Sequence, residues 1–279
     1  DRIVLDGAVD PAAAGPGLFV PQAPALSAAF AHWAAWTAAR DSTYGLGATA
    51  EQIRATVGRI IRVTNRRSLV LGPFRVDAHV LPLLLARQLG DDSDSSYATL
   101  ATDVRTLSAA AQGTPAEPSD ALHEFLTDLF TGSGPATDRA GTPILCADRA
   151  VSRDPETYYR DIQAHRGTEP LFGPLTRNIT PCAYWAVTPA EPPVTVRNKV
   201  PVLIVGAGGD PLTPYPGQQA MHRALTRSRL VTLQGAYRHG VYLAAASPCI
   251  DQAVTRYLTS GALPPGDAAC IPQPGTAAR

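Results

Sequence analysis

The chain has 279 residues, 45% of them hydrophobic, and its 24 basic side chains balance its 24 acidic side chains. This size and composition predict a globular protein whose core fills one large or two modest domains. The balanced charge gives no support for binding to nucleic acid or to an anionic membrane surface. No segment approaches the roughly 20 consecutive apolar residues of a membrane span, and the first residues lack the pattern of a signal peptide. A small or peptide-like ligand is therefore favoured, and we expect any export signal to have been removed or to lie elsewhere.

The first predicted elements are a strand and then a long helical segment. Residues 1–19 open on the β-branched run Ile3 to Leu5, which predicts a core strand followed by a loop. From about residue 20 to residue 140 the apolar residues recur at helical spacing, and the capping box TAEQ at residues 49–52 begins one helix. Further helices are predicted near residues 78–89, 97–111 and 120–130. This pattern predicts a helical lid inserted into the core.

The remaining residues fall into two segments with different sequence patterns. Residues 141–198 carry many prolines, and we expect an irregular, disulfide-linked segment there. Residues 199–279 alternate between the two periodicities, with strands predicted at 200–205 and 229–235 and helices at about 216–226 and 250–258. Such alternation is typical of parallel strands joined by crossover helices, so these residues are predicted to form an α/β core. Ligands of such cores bind beyond the carboxyl ends of the strands.

A carboxylate and an imidazole follow the two strands of this core. Asp210 comes after the first strand, and His239 comes after the second. Because neighbouring parallel strands end at the same edge of a sheet, the carboxylate can hold the imidazole in the tautomer and orientation of a general base. Gly240 is expected to leave space beside the ring. Singly, such an Asp is usually a turn or helix cap and such a His a satisfied polar residue, but their joint occurrence favours a catalytic pair.

Four segments, in their order along the chain, resemble a known family. They are DRIVLDGAVDP, VPVLIVGAGGDPLTP, YRHGVY and SPCIDQAVTRYLTSGALPPGDAACIP. They resemble the C-terminal half of secreted actinobacterial tripeptidyl aminopeptidase-like serine hydrolases, relatives of prolyl aminopeptidases. The resemblance implies an α/β-hydrolase fold in which the D-x-x-T-P stretch carries the triad acid, here Asp210, and the H-G pair carries the triad histidine, here His239. We expect no cofactor and no metal.

The nucleophile of that family is not found in this sequence. The family places it in a G-x-S-x-G elbow upstream of the RIVLDG strand, and none of the serines here lies in such a motif. The segment most similar to this motif is TGSGP around Ser133, and its composition is typical of a linker. We therefore expect a partial enzyme, the C-terminal part of an α/β-hydrolase without the N-terminal strands and the elbow. The expected partner is an N-terminal polypeptide that carries G-x-S-x-G and stays associated after a precursor is cut before Asp1.

The cysteines indicate the compartment. Cys146, Cys182, Cys249 and Cys270 show no metal-ligand spacing, and their even number in loop-like, proline-bearing surroundings favours two disulfides. Sequential pairing, Cys146 with Cys182 and Cys249 with Cys270, is preferred among three connectivities. The alternative is four buried free thiols in a cytosolic protein. The two cysteines that flank the final helix also resemble a family feature. Disulfides imply an oxidising location, so the protein is predicted to be secreted or in the cell envelope.

Two further carboxylates are candidates for substrate binding. Asp6 ends the first strand at the same edge as Asp210, where some α/β-hydrolases place the triad acid. Its other interpretations are a loop cap or a partner for the amine of the substrate. Asp148 could bind the amino terminus of a peptide, although a solvated or Arg-paired loop residue is the simpler interpretation.

The resemblance implies a function as well as a fold. We expect a serine hydrolase that releases short peptides from free amino termini, with the serine supplied by the N-terminal polypeptide. An esterase or lactonase on the same scaffold is the first alternative, since fold-level analogy does not separate peptide from ester substrates. A non-catalytic binding subunit that kept the scaffold is the second.

Overall fold

The computed structural model describes residues 2–133, 136–192, 194–196 and 199–272, and the side chains of residues 136–140 are excepted. The expected cleavage point before Asp1 thus lies outside the described residues. The strands are β1 (Ile3–Asp6), β2 (Leu69–Leu71), β3 (Phe74–Val76), β4 (Val202–Ala207), β5 (Ser228–Leu233) and β6 (Ala268–Cys270). The helices are α1 (Gln22–Ala38), α2 (Asp41–Tyr44), α3 (Ala50–Thr64), α4 (Val80–Gln88), α5 (Asp94–Ala111), α6 (Asp120–Thr131), α7 (Ala136–Asp148), α8 (Pro155–His165), α9 (Gly173–Thr176), α10 (Tyr215–Ala224) and α11 (Pro248–Ser260).

The chain forms two compact units. One consists of Asp1–Ala28 and Arg139–Arg279, and the other of Ala29–Asp138. The first unit contains a four-stranded parallel sheet in the order β1, β4, β5, β6. The predicted first strand and the predicted parallel neighbours in residues 199–279 are therefore confirmed.

The sheet of the first unit is covered by helices on both faces. Every residue of β4 is buried, and its side chains alternate between two apolar clusters. One cluster joins Leu203 and Val205 to residues of α11, and the other joins Val202 and Ile204 to residues near α10. A strand buried on both faces needs an apolar side chain at every position, which explains the continuous run VLIV.

The second unit is mainly helical. The buried face of α3 carries Ile53, Val57 and Ile60 at helical spacing, and Thr49 caps its first turn by accepting a hydrogen bond from the Gln52 N–H. The predicted capping box therefore does mark a helix start. Between α3 and α4 lies an antiparallel hairpin of β2 and β3, which the helical periodicity did not predict.

Residues 141–198 are more regular than predicted. The helix α7 continues through Pro143 to Asp148, and α8 and α9 follow it. Asp154 caps α8 by accepting a hydrogen bond from the Glu156 N–H. No residue of α8 is fully buried, and its few apolar residues lie in a proline-bearing segment that was predicted to be irregular.

Both disulfides are formed with the predicted sequential pairing, and in the described part of the chain no cysteine is free. Cys146 of α7 is joined to Cys182, which lies in a 3-10 turn. Cys249 in the first turn of α11 is joined to Cys270 in β6. The second bridge thus fastens the edge strand of the sheet to the helix that covers one face. Among the described helices, none has the length and apolar character required to cross a membrane.

We predict that each disulfide contributes about 3 kcal/mol to stability, because closing loops with sequence separations of 36 and 21 residues restricts the unfolded chain. The double variants Cys249→Ser/Cys270→Ser and Cys146→Ser/Cys182→Ser should each lower the melting temperature by several degrees in calorimetry. Four titratable thiols in the native, unreduced protein would contradict both bridges and the oxidising location.

Candidate active site

The side chain of Asp210 is held at the carboxyl end of β4. Gly208 and Gly209 follow the strand, and Asp210 is then only 1% exposed. Its Oδ1 atom accepts hydrogen bonds from two backbone N–H groups, that of Leu212 at 2.9 Å and that of Thr213 at 2.8 Å. The carboxylate therefore closes its own loop, and its second oxygen stays available for other partners.

The second oxygen of Asp210 faces the loop that follows β5. His239 lies in that loop, and its Nδ1 atom is 3.1 Å from Asp210 Oδ2. Thr213 Oγ1 also donates to Oδ2, at 2.7 Å. The structure thus brings together the acid and the histidine that the sequence predicted as a pair.

The tautomer of His239 follows from this contact. An ionised carboxylate only accepts hydrogen bonds, so the proton of a neutral imidazole must be on Nδ1, and Nε2 then has a free lone pair. Nε2 has no hydrogen-bond partner among the described residues, and the side chain is 40% exposed. The ring is therefore held at one nitrogen and open at the nitrogen that can accept a proton.

The surroundings of His239 favour its charged form. The pKa of His239 is raised above its ordinary value, first by the hydrogen bond to Asp210 and then by the negative charges of Asp210 and Asp6. Partial burial of the ring acts in the opposite direction. An imidazole in this position takes up a proton more readily than a free one.

Close packing at the site depends on a glycine that the sequence analysis did not single out. Gly7 follows β1 with a φ of +70°, and a Cβ there would lie 2.8 Å from Thr213 Oγ1 and 2.9 Å from His239 Cε1. Gly240, expected to leave space beside the imidazole, has a φ of +78°, a conformation that favours glycine, and apart from its two chain neighbours nothing lies within 4 Å of a Cβ built there. Gly7 thus leaves space for the ring.

Asp6 binds the backbone of the loop that carries His239. Its carboxylate accepts hydrogen bonds from the Val241 N–H at 2.9 and 3.1 Å and from the Tyr242 N–H at 3.0 Å. These contacts match the loop-cap interpretation of Asp6. They also fasten the end of β1 to the segment just after the imidazole.

Asp148 is exposed at the last position of α7, and no described contact joins it to the pair of Asp210 and His239.

Among the described residues, no group of three or more His, Cys, Asp and Glu side chains is arranged to hold a metal ion. A cavity of about 440 Å³ near the carboxyl ends of β4 and β5 is lined in part by Asp210 and Tyr237. His239 is not in its lining, so this cavity is not the space into which Nε2 opens.

Comparison with known proteins relates this site to a family. Residues 169–270, which include Asp210 and His239, match the family of TAP-like proteins. The chain is 28% identical over 246 residues to a tripeptidyl aminopeptidase of Streptomyces coelicolor, an alignment that covers 86% of this chain and 43% of that protein. It is 32% identical over 137 residues to the serine protease Hip1 of Mycobacterium tuberculosis, which covers 47% of this chain and 26% of that protein.

A third relative aligns with this chain over a longer segment. The chain is 26% identical over 286 residues to a carboxylesterase B of Mycobacterium tuberculosis, which covers 97% of this chain and 52% of that protein. The chain thus spans about half the length of the relatives that it matches over most of its own sequence. The parallel sheet, the acid and histidine at its edge, the family match of residues 169–270 and these similarities together support a TAP-like α/β-hydrolase.

Proposed function

We propose that this chain supplies the general base and the acid of a serine hydrolase. The observation that carries the proposal is the state of the His239 ring, which is bound to Asp210 through Nδ1 and open at Nε2. A general base needs a free lone pair, a fixed orientation and a partner that stabilises its charged form. His239 has all three.

In the proposed reaction, His239 Nε2 takes the proton of a serine hydroxyl while the serine oxygen attacks the carbonyl carbon of the substrate. The imidazolium then gives this proton to the leaving amine or alcohol, and an acyl-enzyme remains. Water, which gives its proton to His239 Nε2, then attacks the acyl carbon. The serine recovers its proton from His239, and the carboxylic acid product is released. Throughout, Asp210 stays ionised and stabilises the positive charge on His239.

The serine is proposed to come from another polypeptide segment that carries a G-x-S-x-G elbow. Two observations support this. No serine of the 279 residues lies in such a motif, and β1 is at one end of the described sheet, so its outer edge is a place where further strands of a hydrolase core would pair.

The proposed substrate is a peptide with a free amino terminus, from which short pieces are released in an extracytoplasmic location. The names of the tripeptidyl aminopeptidase and protease relatives support the peptide, and the two disulfides support the location. Residues 29–138 are inserted in the chain between the paired strands β1 and β4, and we propose that they act as a lid that selects substrates. An exposed carboxylate such as that of Asp148 would attract the ammonium group of the substrate.

An esterase is the second candidate function. It is favoured by the similarity to the carboxylesterase, which extends over 97% of this chain. Rates measured side by side on peptide anilides with free amino termini and on matched esters separate the two candidates. No hydrolysis of either class by the complete protein would favour a non-catalytic binding subunit.

We predict that Asp210→Asn lowers kcat by on the order of 10⁴ without unfolding the protein, because an amide does not hold the imidazole in the required tautomer. Asp6→Asn is the matched control, since the described hydrogen bonds of the Asp6 carboxylate go to the backbone N–H groups that follow His239. This variant should lower kcat by less than about tenfold. Steady-state kinetics of the complete protein provide the comparison. If Asp6→Asn were the more damaging change, the role of the triad acid would move to Asp6.

A second prediction concerns the pKa of His239. It should lie above the ordinary value of about 6.5, fall somewhat in Asp6→Asn, and fall most in Asp210→Asn, which removes both the hydrogen bond and the nearer charge. Titration of the ring Cε1 proton by NMR measures all three values. Because the base must be neutral, kcat/KM should rise with pH through the same value. An unchanged pKa in Asp210→Asn would be inconsistent with the pair.

A further inference from the structure

We propose that Thr213 is a positioning residue, whose hydroxyl holds the His239 ring together with Asp210. The effect on catalysis rests on the function proposed above, whereas the effect on the ring does not. The inference begins from the position of the Thr213 hydroxyl, which lies between the acid and the histidine.

Thr213 Oγ1 contacts both members of the pair. It is 2.7 Å from Asp210 Oδ2 and 3.1 Å from His239 Nδ1. A hydroxyl has one hydrogen and two acceptor lone pairs, and the Asp210 carboxylate only accepts, so the hydroxyl hydrogen goes to Asp210. Thr213 Oγ1 then accepts from the Nδ1–H of His239. This proton is shared between two oxygens, each 3.1 Å from Nδ1.

Two acceptors restrain the ring more than one does. The Asp210 Oδ1 atom is fixed by two backbone N–H groups, whereas among the described residues Oδ2 receives only the Thr213 hydroxyl and the His239 ring. Without the hydroxyl, Oδ2 would keep a single, partly exposed partner. The imidazole could then turn away from Asp210 at the loss of one hydrogen bond.

The hydroxyl is itself held by the sheet and by α10. The Thr213 N–H donates to Asp210 Oδ1, and the Thr213 carbonyl accepts from Gln218 Nε2 at 3.0 Å. Gln218 is fully buried on α10, and its amide fills the space that a side chain at Gly206 of β4 would need. On the other side, Gly7 leaves the space that Thr213 Oγ1 and the ring occupy. The hydroxyl position is therefore set by two neighbouring strands.

The test compares three substitutions at one position. Thr213→Val and Thr213→Ala remove the hydroxyl, and Thr213→Ser keeps it. In the complete protein, kcat should fall about tenfold to a hundredfold in the variants without the hydroxyl, because a hydrogen bond to a charged group is lost. KM should change less than about twofold, and Thr213→Ser should stay within about threefold of the wild type. If Thr213→Val does not fold, Thr213→Ala makes the same comparison.

A second readout does not depend on activity. The Nδ1 proton of His239, assigned with His239→Gln, should be observable by NMR and protected from exchange with water in the wild type and in Thr213→Ser. In the variants without the hydroxyl it should broaden and exchange faster.

The outcomes separate the two proposals. Wild-type kcat and an unchanged Nδ1 proton in both variants without the hydroxyl would overturn the role of Thr213, as would a Thr213→Ser variant as impaired as Thr213→Val. Loss of the protected proton in a protein that hydrolyses no substrate would support the positioning role while removing the proposed hydrolase function.

Discussion

The site depends on one constraint, the burial of an ionised carboxylate at the end of an apolar strand. Such burial costs free energy unless the acceptor sites of the carboxylate are filled. Asp210 meets this requirement with two backbone N–H groups on Oδ1 and with the Thr213 hydroxyl and the His239 ring on Oδ2. The turn after β4 and the position of the imidazole are both consequences of satisfying this one group. Since Oδ2 lies 3.1 Å from Nδ1, the carboxylate acts on the ring at close range.

The parallel sheet makes this arrangement possible. Because β1, β4 and β5 run in the same direction, Gly7, Asp210 and His239 all follow carboxyl ends at one edge. Each strand leads to a different part of the site. The strand β1 ends on Asp6, which binds the backbone just after His239, and it is followed by Gly7, which leaves space for the imidazole. The strand β4 leads to Asp210, and β5 leads to His239. The disulfide between α11 and β6 fastens the far edge of the same sheet. The rigid core thus orients an imidazole whose free nitrogen faces away from the acid.

Much of this could be predicted from sequence, and the remainder has physical reasons for escaping prediction. The parallel strands follow from alternating periodicities, and the pair of Asp210 and His239 follows from their positions after successive strands. Thr213 and Gly7 were not predicted, because their roles depend on distances between residues far apart in the chain. The hairpin of β2 and β3 has strands of three residues, too short to show a period, and α8 lies in a proline-bearing segment and buries no residue fully. Sequence patterns therefore locate the chemistry, whereas the close contacts that orient it require the structure.

The central claim is that His239 activates a serine held in a G-x-S-x-G elbow that this sequence does not contain. The most direct measurement is to label the purified active protein with a fluorophosphonate, which reacts with activated serines, and to identify the labelled peptide by mass spectrometry. We expect the label on a serine outside these 279 residues, and we expect labelling to be lost in His239→Ala. A label on any serine of this chain, or undiminished labelling in His239→Ala, would contradict the claim.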